Sequence, residues 1–224
     1  VVDEAIDVKQ GQVSEGEPVP YDISRIDFDR LKQEFERSPT KRTTVQNLKQ
    51  AVEDRVQRLL EQNPLRTDFQ RHYEEIVWDY NREKDRATIE KTFEELLRFV
   101  EALDGEESRA LREGLDEESL AIFDLIRRDE LKPAEIKRIK EVAVGLLHEL
   151  KAETLKVDHW RDKEATRDAV RVAIKNYFWS DETGLPEESY SVEDVENLTD
   201  EVFRHVFRAY PTVPSPVYHE EAAA

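Results

Sequence analysis

From Asp27 onward the apolar residues of this chain recur every three or four positions, the spacing that gives an α-helix one buried face. Phe28, Leu31 and Phe35 make a short stripe that Ser38-Pro39 ends, because proline disfavours helical geometry in the residue before it. Val45, Leu48, Val52, Val56, Leu59 and Leu60 form a longer face that stops at Asn63-Pro64. The next helix is predicted to start at once, with Thr67 and Gln70 as a capping box and Phe69, Tyr73, Ile76, Val77 and Tyr80 facing inward. Ile89, Phe93, Leu96, Leu97, Val100 and Leu103 make a further stripe, which Gly105 is expected to close. A short helix through Leu111 follows, and then one that Asp116 can cap, with Leu120, Phe123 and Ile126 inward.

Pro133 opens a long helix at its first position, where the missing N–H costs little, with Ile136, Ile139, Val142, Leu146, Leu147 and Leu150 on one face. Trp160 to Trp179 is predicted as one helix that buries Ala165, Val170, Ala173, Ile174, Tyr177 and Phe178. Ser191 and Asp194 cap the last, with Val195, Leu198, Val202, Val206 and Tyr210 inward until Pro211. No fixed-period repeat links these segments. The predicted fold class is therefore all-α, an irregular multi-helix array, with a short extended N-terminal arm. Residues 1–24 are the arm or a linker, 25–211 the helical domain, and 212–224 a Pro-rich tail.

Composition narrows the chemistry. Cysteine is absent from the 224 residues, so disulfides, thiol nucleophiles and Cys-based zinc sites are excluded and a reducing, cytoplasmic setting is favoured. No apolar run reaches the roughly 20 residues a membrane-spanning helix needs. The chain begins at Val1 and contains no Met, which suits an internal or C-terminal piece of something longer. Net charge is −18, a field that repels nucleic acid on average, so any DNA contact requires a local basic patch.

Glycines at 11, 16, 105, 114, 145 and 184 fit neither the dinucleotide fingerprint nor a phosphate loop. The histidines at 72, 148, 159, 205 and 219 include no pair three or four apart, the spacing that would set two rings on one helix face for a metal. Glu201 and His205 share a face, and an exposed i,i+4 pair is expected there in preference to a metal site. Glu-x-Lys triplets at Glu130, Glu135 and Glu149 and the Asp7-Val8-Lys9 run resemble one half of a nuclease metal site, but they lack a second acidic strand residue. The acidic pairs Glu74-Glu75 and Glu117-Glu118 point about 100° apart on a helix and are expected to be solvated. No catalytic, cofactor-binding or metal residues are assigned.

Charge is unevenly spread. Residues 37–71 carry eight basic and four acidic side chains, while residues 101–130 carry eleven acidic and four basic. The basic stretch makes Lys41, Arg42, Lys49, Arg55 and Arg58 candidate DNA or partner contacts, with ordinary solvated helix faces as the open alternative. The aromatic and basic run "DHWRDKEATRDAVRVAIKNYFW" adds Trp160, Arg167 and Arg171 as candidates, against the alternative of core anchors and local ion pairs.

The segments "DFDRLKQEFERSPTKRT", "NPLRTDFQRHYEEIVWDYN", "TIEKTFEELLRFV", "REGLDEESLAIFDLI" and "AIKNYF…HVFRAYP" closely resemble the C-terminal helical domain of the restriction (R) subunit of type I restriction-modification enzymes. The resemblance spans roughly Asp27 to Pro211. Its most specific element is Asn63, Pro64, Leu65, Arg66, Asp68 and Phe69. It implies a non-catalytic piece of an ATP-dependent DNA translocase and endonuclease that joins the motor and nuclease part to the methyltransferase (M) and specificity (S) subunits, with DNA guiding along the basic helix as a further role. ATP and Mg would belong to other domains of that subunit, and DNA would be met through the whole complex, without a membrane partner. The alternative classes are a free-standing acidic helical interaction protein or DNA mimic and, last, an enzyme with an unrecognised carboxylate metal site.

Arg66 poses its own question. An arginine just ahead of a helix start gains nothing from the positive end of the helix dipole, so it requires an acidic or phosphate partner. The expected partner is a carboxylate of the same chain that locks two helices at a fixed angle; a direct contact with another subunit is the alternative.

Overall fold

The computed structural model describes residues 28–82 and 86–218, and these fold into helices without a strand. The expected arm of residues 1–24, the side chain of Phe28 and His219 lie outside the described residues. In chain order the helices are α1 (Phe28–Arg37), α2 (Lys41–Gln62), α3 (Thr67–Arg82), α4 (Arg86–Glu107), α5 (Arg109–Glu113), α6 (Glu117–Ile126), α7 (Pro133–Glu153), α8 (Glu164–Phe178) and α9 (Val192–Ala209). The all-α expectation therefore holds for the described residues.

The amphipathic faces close into two apolar cores. In the first, α2 lays Val45, Leu48, Val52, Val56 and Leu59 against Tyr73, Ile76 and Tyr80 of α3 and Phe93, Leu96, Leu97, Phe99 and Val100 of α4. Phe35 of α1 stacks on Phe93 with ring centroids 3.7 Å apart. The second and larger core gathers Leu120, Phe123 and Ile126 of α6, Ile139, Val142, Leu146 and Leu150 of α7, Val170 and Ile174 of α8 and Val195, Val202 and Val206 of α9. The predicted caps form at Asp116, whose carboxylate accepts from Ser119 N–H at 2.7 Å, and at the reciprocal Ser191–Asp194 box.

Three local expectations are corrected. Gly105 does not end α4, which runs on to Glu107; the glycine in the left-handed region is Gly114 (φ 71°), whose N–H caps α5. Trp160 is not helical, because His159 takes a left-handed φ of 54° just before it, and α8 begins only at Glu164. Thr67 is the first helical residue of α3, and its hydroxyl makes no capping hydrogen bond among the described residues; Gln70 donates instead to Glu74. Residues 212–218, within the Pro-rich tail, pack onto the domain. Ser215 is buried, its hydroxyl bonded to the Ala209 carbonyl, and Val217 and Tyr218 lie against the second core.

Candidate functional site

Between the two cores runs a polar seam, and the Asn63–Phe69 corner builds it. Pro64 prevents α2 from continuing, so Asn63 takes an extended conformation while its N–H still bonds the Leu59 carbonyl at 3.0 Å. The Asn63 side chain then accepts from Leu65 N–H at 3.1 Å, and Arg66 N–H donates to the Asn63 carbonyl at 3.2 Å. This tight local turn sends the Arg66 side chain inward, where it is only 3% exposed.

The partners of Arg66 belong to its own chain. Its Nε donates to Glu106 Oε1 at 2.8 Å and its Nη2 to Glu117 Oε2 at 3.0 Å, tying the α2–α3 corner to the end of α4 and the start of α6. Glu106 Oε1 also accepts from Arg109 Nε at 2.8 Å, and Arg109 grips both oxygens of Asp124. Asp124 Oδ2 in turn accepts from Asn63 Nδ2 at 2.5 Å, which closes a circuit from Asn63 to Asp124, Arg109, Glu106 and Arg66 and back to Asn63. Each member orients the next, so the relative placement of four chain segments is specified by fixed-geometry forks. Arg66 Nη1 and Glu117 Oε1 are buried without a hydrogen-bond partner among the described residues, so the seam favours geometry over full satisfaction. Burial raises the Glu117 carboxyl above its usual range, although Arg66 pulls the other way; the hydrogen bonds to Asp124 hold the Arg109 guanidinium up against its own burial.

The neighbouring Glu118 is buried as well and pairs with Lys151, while Tyr210 Oη donates to Glu118 Oε2 at 2.9 Å. The solvated face expected for Glu117-Glu118 is thus corrected: each carboxylate turns inward to a cation. Tyr218 Oη donates to the Gln62 carbonyl at 2.5 Å and meets His205 Nε2 at 3.0 Å, so the docked tail clasps the end of α2 to α9. His205 is buried rather than the exposed partner of Glu201, and desolvation lowers its pKa to about 4 with help from Arg208. The imidazole is therefore neutral near pH 7.

The other candidates are dispersed. Arg55 is buried, its Nε and Nη2 held by Glu107 at 2.7 and 2.6 Å and its Nη2 also by Asp104 at 2.5 Å. Burial works against its charge, but these bonds keep the guanidinium above its ordinary value. Trp160 is buried, donating from Nε1 to the Tyr210 carbonyl at 2.8 Å. Neither side chain lies on the surface of the folded domain, so the expected contacts of Arg55 and Trp160 have no exposed side chain behind them. Lys41 pairs with Glu90 at 2.7 Å and Lys49 lies over the Tyr80 ring at 5.2 Å. Arg167 donates to the Arg161 carbonyl at 2.9 Å, and Arg171 lies 4.4 Å from the Phe203 ring centroid while reaching Asp200 at 3.1 Å. Arg42 and Arg58 are exposed on α2. Sixteen residues separate them, which puts them about 160° apart around an ideal helix rather than along one stripe.

Sequence reasoning missed Glu106, Arg109, Glu117 and Asp124. The available signal was the acidic 101–130 segment facing the basic 37–71 segment: opposite excesses in one chain can neutralise each other in the fold. In the motif itself, Leu65 is half exposed, and with Asp68, Phe69, Arg127 and Asp129 it lines a shallow cleft of about 470 Å³ over the seam.

An irregular array of helices, two apolar cores and a buried ionic circuit define an all-helical structural module whose most specific sequence element lies at the junction of its halves. The chain belongs to the family of type I restriction enzyme HindI endonuclease subunit-like C-terminal domains, whose model matches residues 4–210. That match begins inside the segment expected as an arm and ends just before the tail. Searches of curated proteins and of solved structures return no match. No helix among the described residues is long and apolar enough to cross a membrane.

Proposed function

We propose that this domain is a non-catalytic docking module, holding the motor and nuclease part of a type I restriction endonuclease subunit against the methyltransferase and specificity subunits in the cytoplasm. Family membership over residues 4–210 is the observation that carries the reading. The seam supports it, since a docking module must transmit force between large partners and the Arg66 circuit joins both cores through buried, directional ion pairs. ATP hydrolysis and metal-dependent cleavage belong, on this reading, to domains outside the chain. A pull-down with the methyltransferase–specificity complex tests docking: retention of the folded domain is expected, and no retention would sink the proposal.

A role in guiding DNA has narrower support, because Arg55 is buried and the exposed Arg42 and Arg58 do not share a face. If these two residues contact phosphates, Arg42→Glu with Arg58→Glu lowers DNA affinity and reduces the salt slope by about two counterions. An unchanged slope removes DNA guiding while leaving docking intact.

A further inference from the structure

The α3 helix turns a second face outward, away from the seam. Trp78 is 60% exposed, the most exposed of the three tryptophans, although an indole is among the side chains whose burial gains most. One face of its ring is covered by the Arg82 guanidinium, 4.9 Å from the ring centroid. Beside it lies a surface cleft of about 510 Å³ lined by Arg71, Glu74, Glu75, Trp78 and Asp79, three carboxylates against one guanidinium. Glu74 accepts a hydrogen bond from Gln70 at 2.9 Å and Asp79 sits 3.6 Å from Lys91, both weak surface contacts. Glu75 has no partner among the described residues.

An exposed indole flanked by carboxylates has the chemistry that receives a cation. The ring face opposite Arg82 attracts a Lys or Arg head through its quadrupole, the carboxylates neutralise it, and the aliphatic stem of the same side chain covers the apolar indole edge. Phosphate does not fit, because the lining is net acidic. A second copy of this chain is disfavoured too, since each copy carries −18. Tryptophan is also, with tyrosine and arginine, enriched among the energetic anchors of protein interfaces.

We infer that the Trp78 cleft on α3 is a docking surface for a basic protein segment, which inserts a Lys or Arg side chain against the indole and between Glu75 and Asp79. This rests on the docking reading and deepens it: the partner subunit contributes the basic segment, and the acidic character of this domain serves as the complementary surface. Association is therefore salt-sensitive and driven by Trp78, while the Arg66 seam supplies rigidity behind it.

The experiment measures binding of the full chain to two probes, the methyltransferase–specificity complex of the same system and a synthetic lysine-rich helical peptide, with the peptide's glutamine analogue as the uncharged reference. Trp78→Ala and Glu75→Lys are expected to weaken binding to both probes by about tenfold or more, while Leu111→Ala, an exposed apolar residue on α5, changes nothing. Wild-type affinity for the lysine peptide is expected to exceed that for the glutamine analogue. Circular dichroism checks that the variants fold, as exposed positions should allow. Unchanged affinity of both variants for the lysine peptide overturns the inference, because non-specific attraction to an acidic protein would not depend on Trp78. If the complex does not bind but the peptide does so through Trp78, the docking reading fails and the cation-receiving surface stands.

Discussion

Among the described residues, the buried charges in the half built from α1 to α4 are arginines, Arg55 and Arg66; in the half built from α5 to α9 the buried charge is a carboxylate, Glu118, and the buried His205 is neutral. The first half meets its arginines with carboxylates from the end of α4 and, through Glu117, from the second half. The second half meets Glu118 with its own Lys151 and Tyr210. Arg66 is the buried charge that crosses, beside the Asn63–Asp124 and Tyr218–Gln62 hydrogen bonds. What the contrast shows is that separation of charge along a chain need not persist in space: the basic 37–71 and acidic 101–130 segments fold against each other and neutralise at the seam. The excess that looked available for phosphate is partly consumed inside.

The comparison is broken most forcefully at Arg66. Arg66→Ala leaves the half-buried Glu117 without its cation and Glu106 with Arg109 alone, and is expected to destabilise the domain by about 3–5 kcal/mol in urea unfolding. Arg55→Ala should cost less, about 1–3 kcal/mol, since its partners Asp104 and Glu107 are roughly half exposed and can be resolvated. Equal losses for the two would remove the distinction between a crossing arginine and a local one.

Between those two in size lies the apolar term, which tests whether the halves are comparable cores. Leu96→Ala in the first and Leu146→Ala in the second, both fully buried, are each expected to lose about 2–5 kcal/mol. A loss below about 0.5 kcal/mol at either would contradict its place in a packed core.

The second half has a pH response of its own. The folded pKa of His205 is depressed to about 4 from an ordinary 6.5, so below pH 6.5 the unfolded chain takes up a proton that the folded chain refuses. Its contribution is complete above pH 6.5 and is lost as pH falls toward 4, by about 3 kcal/mol for a shift of this size. His205→Gln should flatten the stability profile across that window, and an unaltered slope would show that the imidazole is not held neutral. The smallest effect is at a cap: Ser191→Ala should cost about 1 kcal/mol and leave the seam untouched.

Much of this fold was legible in the apolar spacing, because amphipathic periodicity reports directly which face a helix buries. The stripes on α2, α4, α7 and α9 are core as expected, and Asp116 and Ser191 cap where their side-chain chemistry predicts. Boundaries set by backbone conformation were harder to read: Gly105 could have stopped a helix and does not, whereas His159 takes a left-handed φ that its residue type does not announce. The seam was half legible. The position of Arg66 called for a carboxylate, but which carboxylate depends on how α4, α5 and α6 converge, and that is a tertiary fact. Trp78 falls on the outer face of α3, beside the inner-face Val77, and only the structure shows how far it projects.

The central claim is that Arg66 couples two helical cores into one cooperative unit. Trp78 reports on the first half and Trp160 on the second, so their indole N–H resonances can be followed by NMR through urea unfolding in wild type and in Arg66→Ala. Coincident transitions in wild type that separate in the variant are the predicted result; transitions that stay coincident, with the midpoint unmoved, would contradict it.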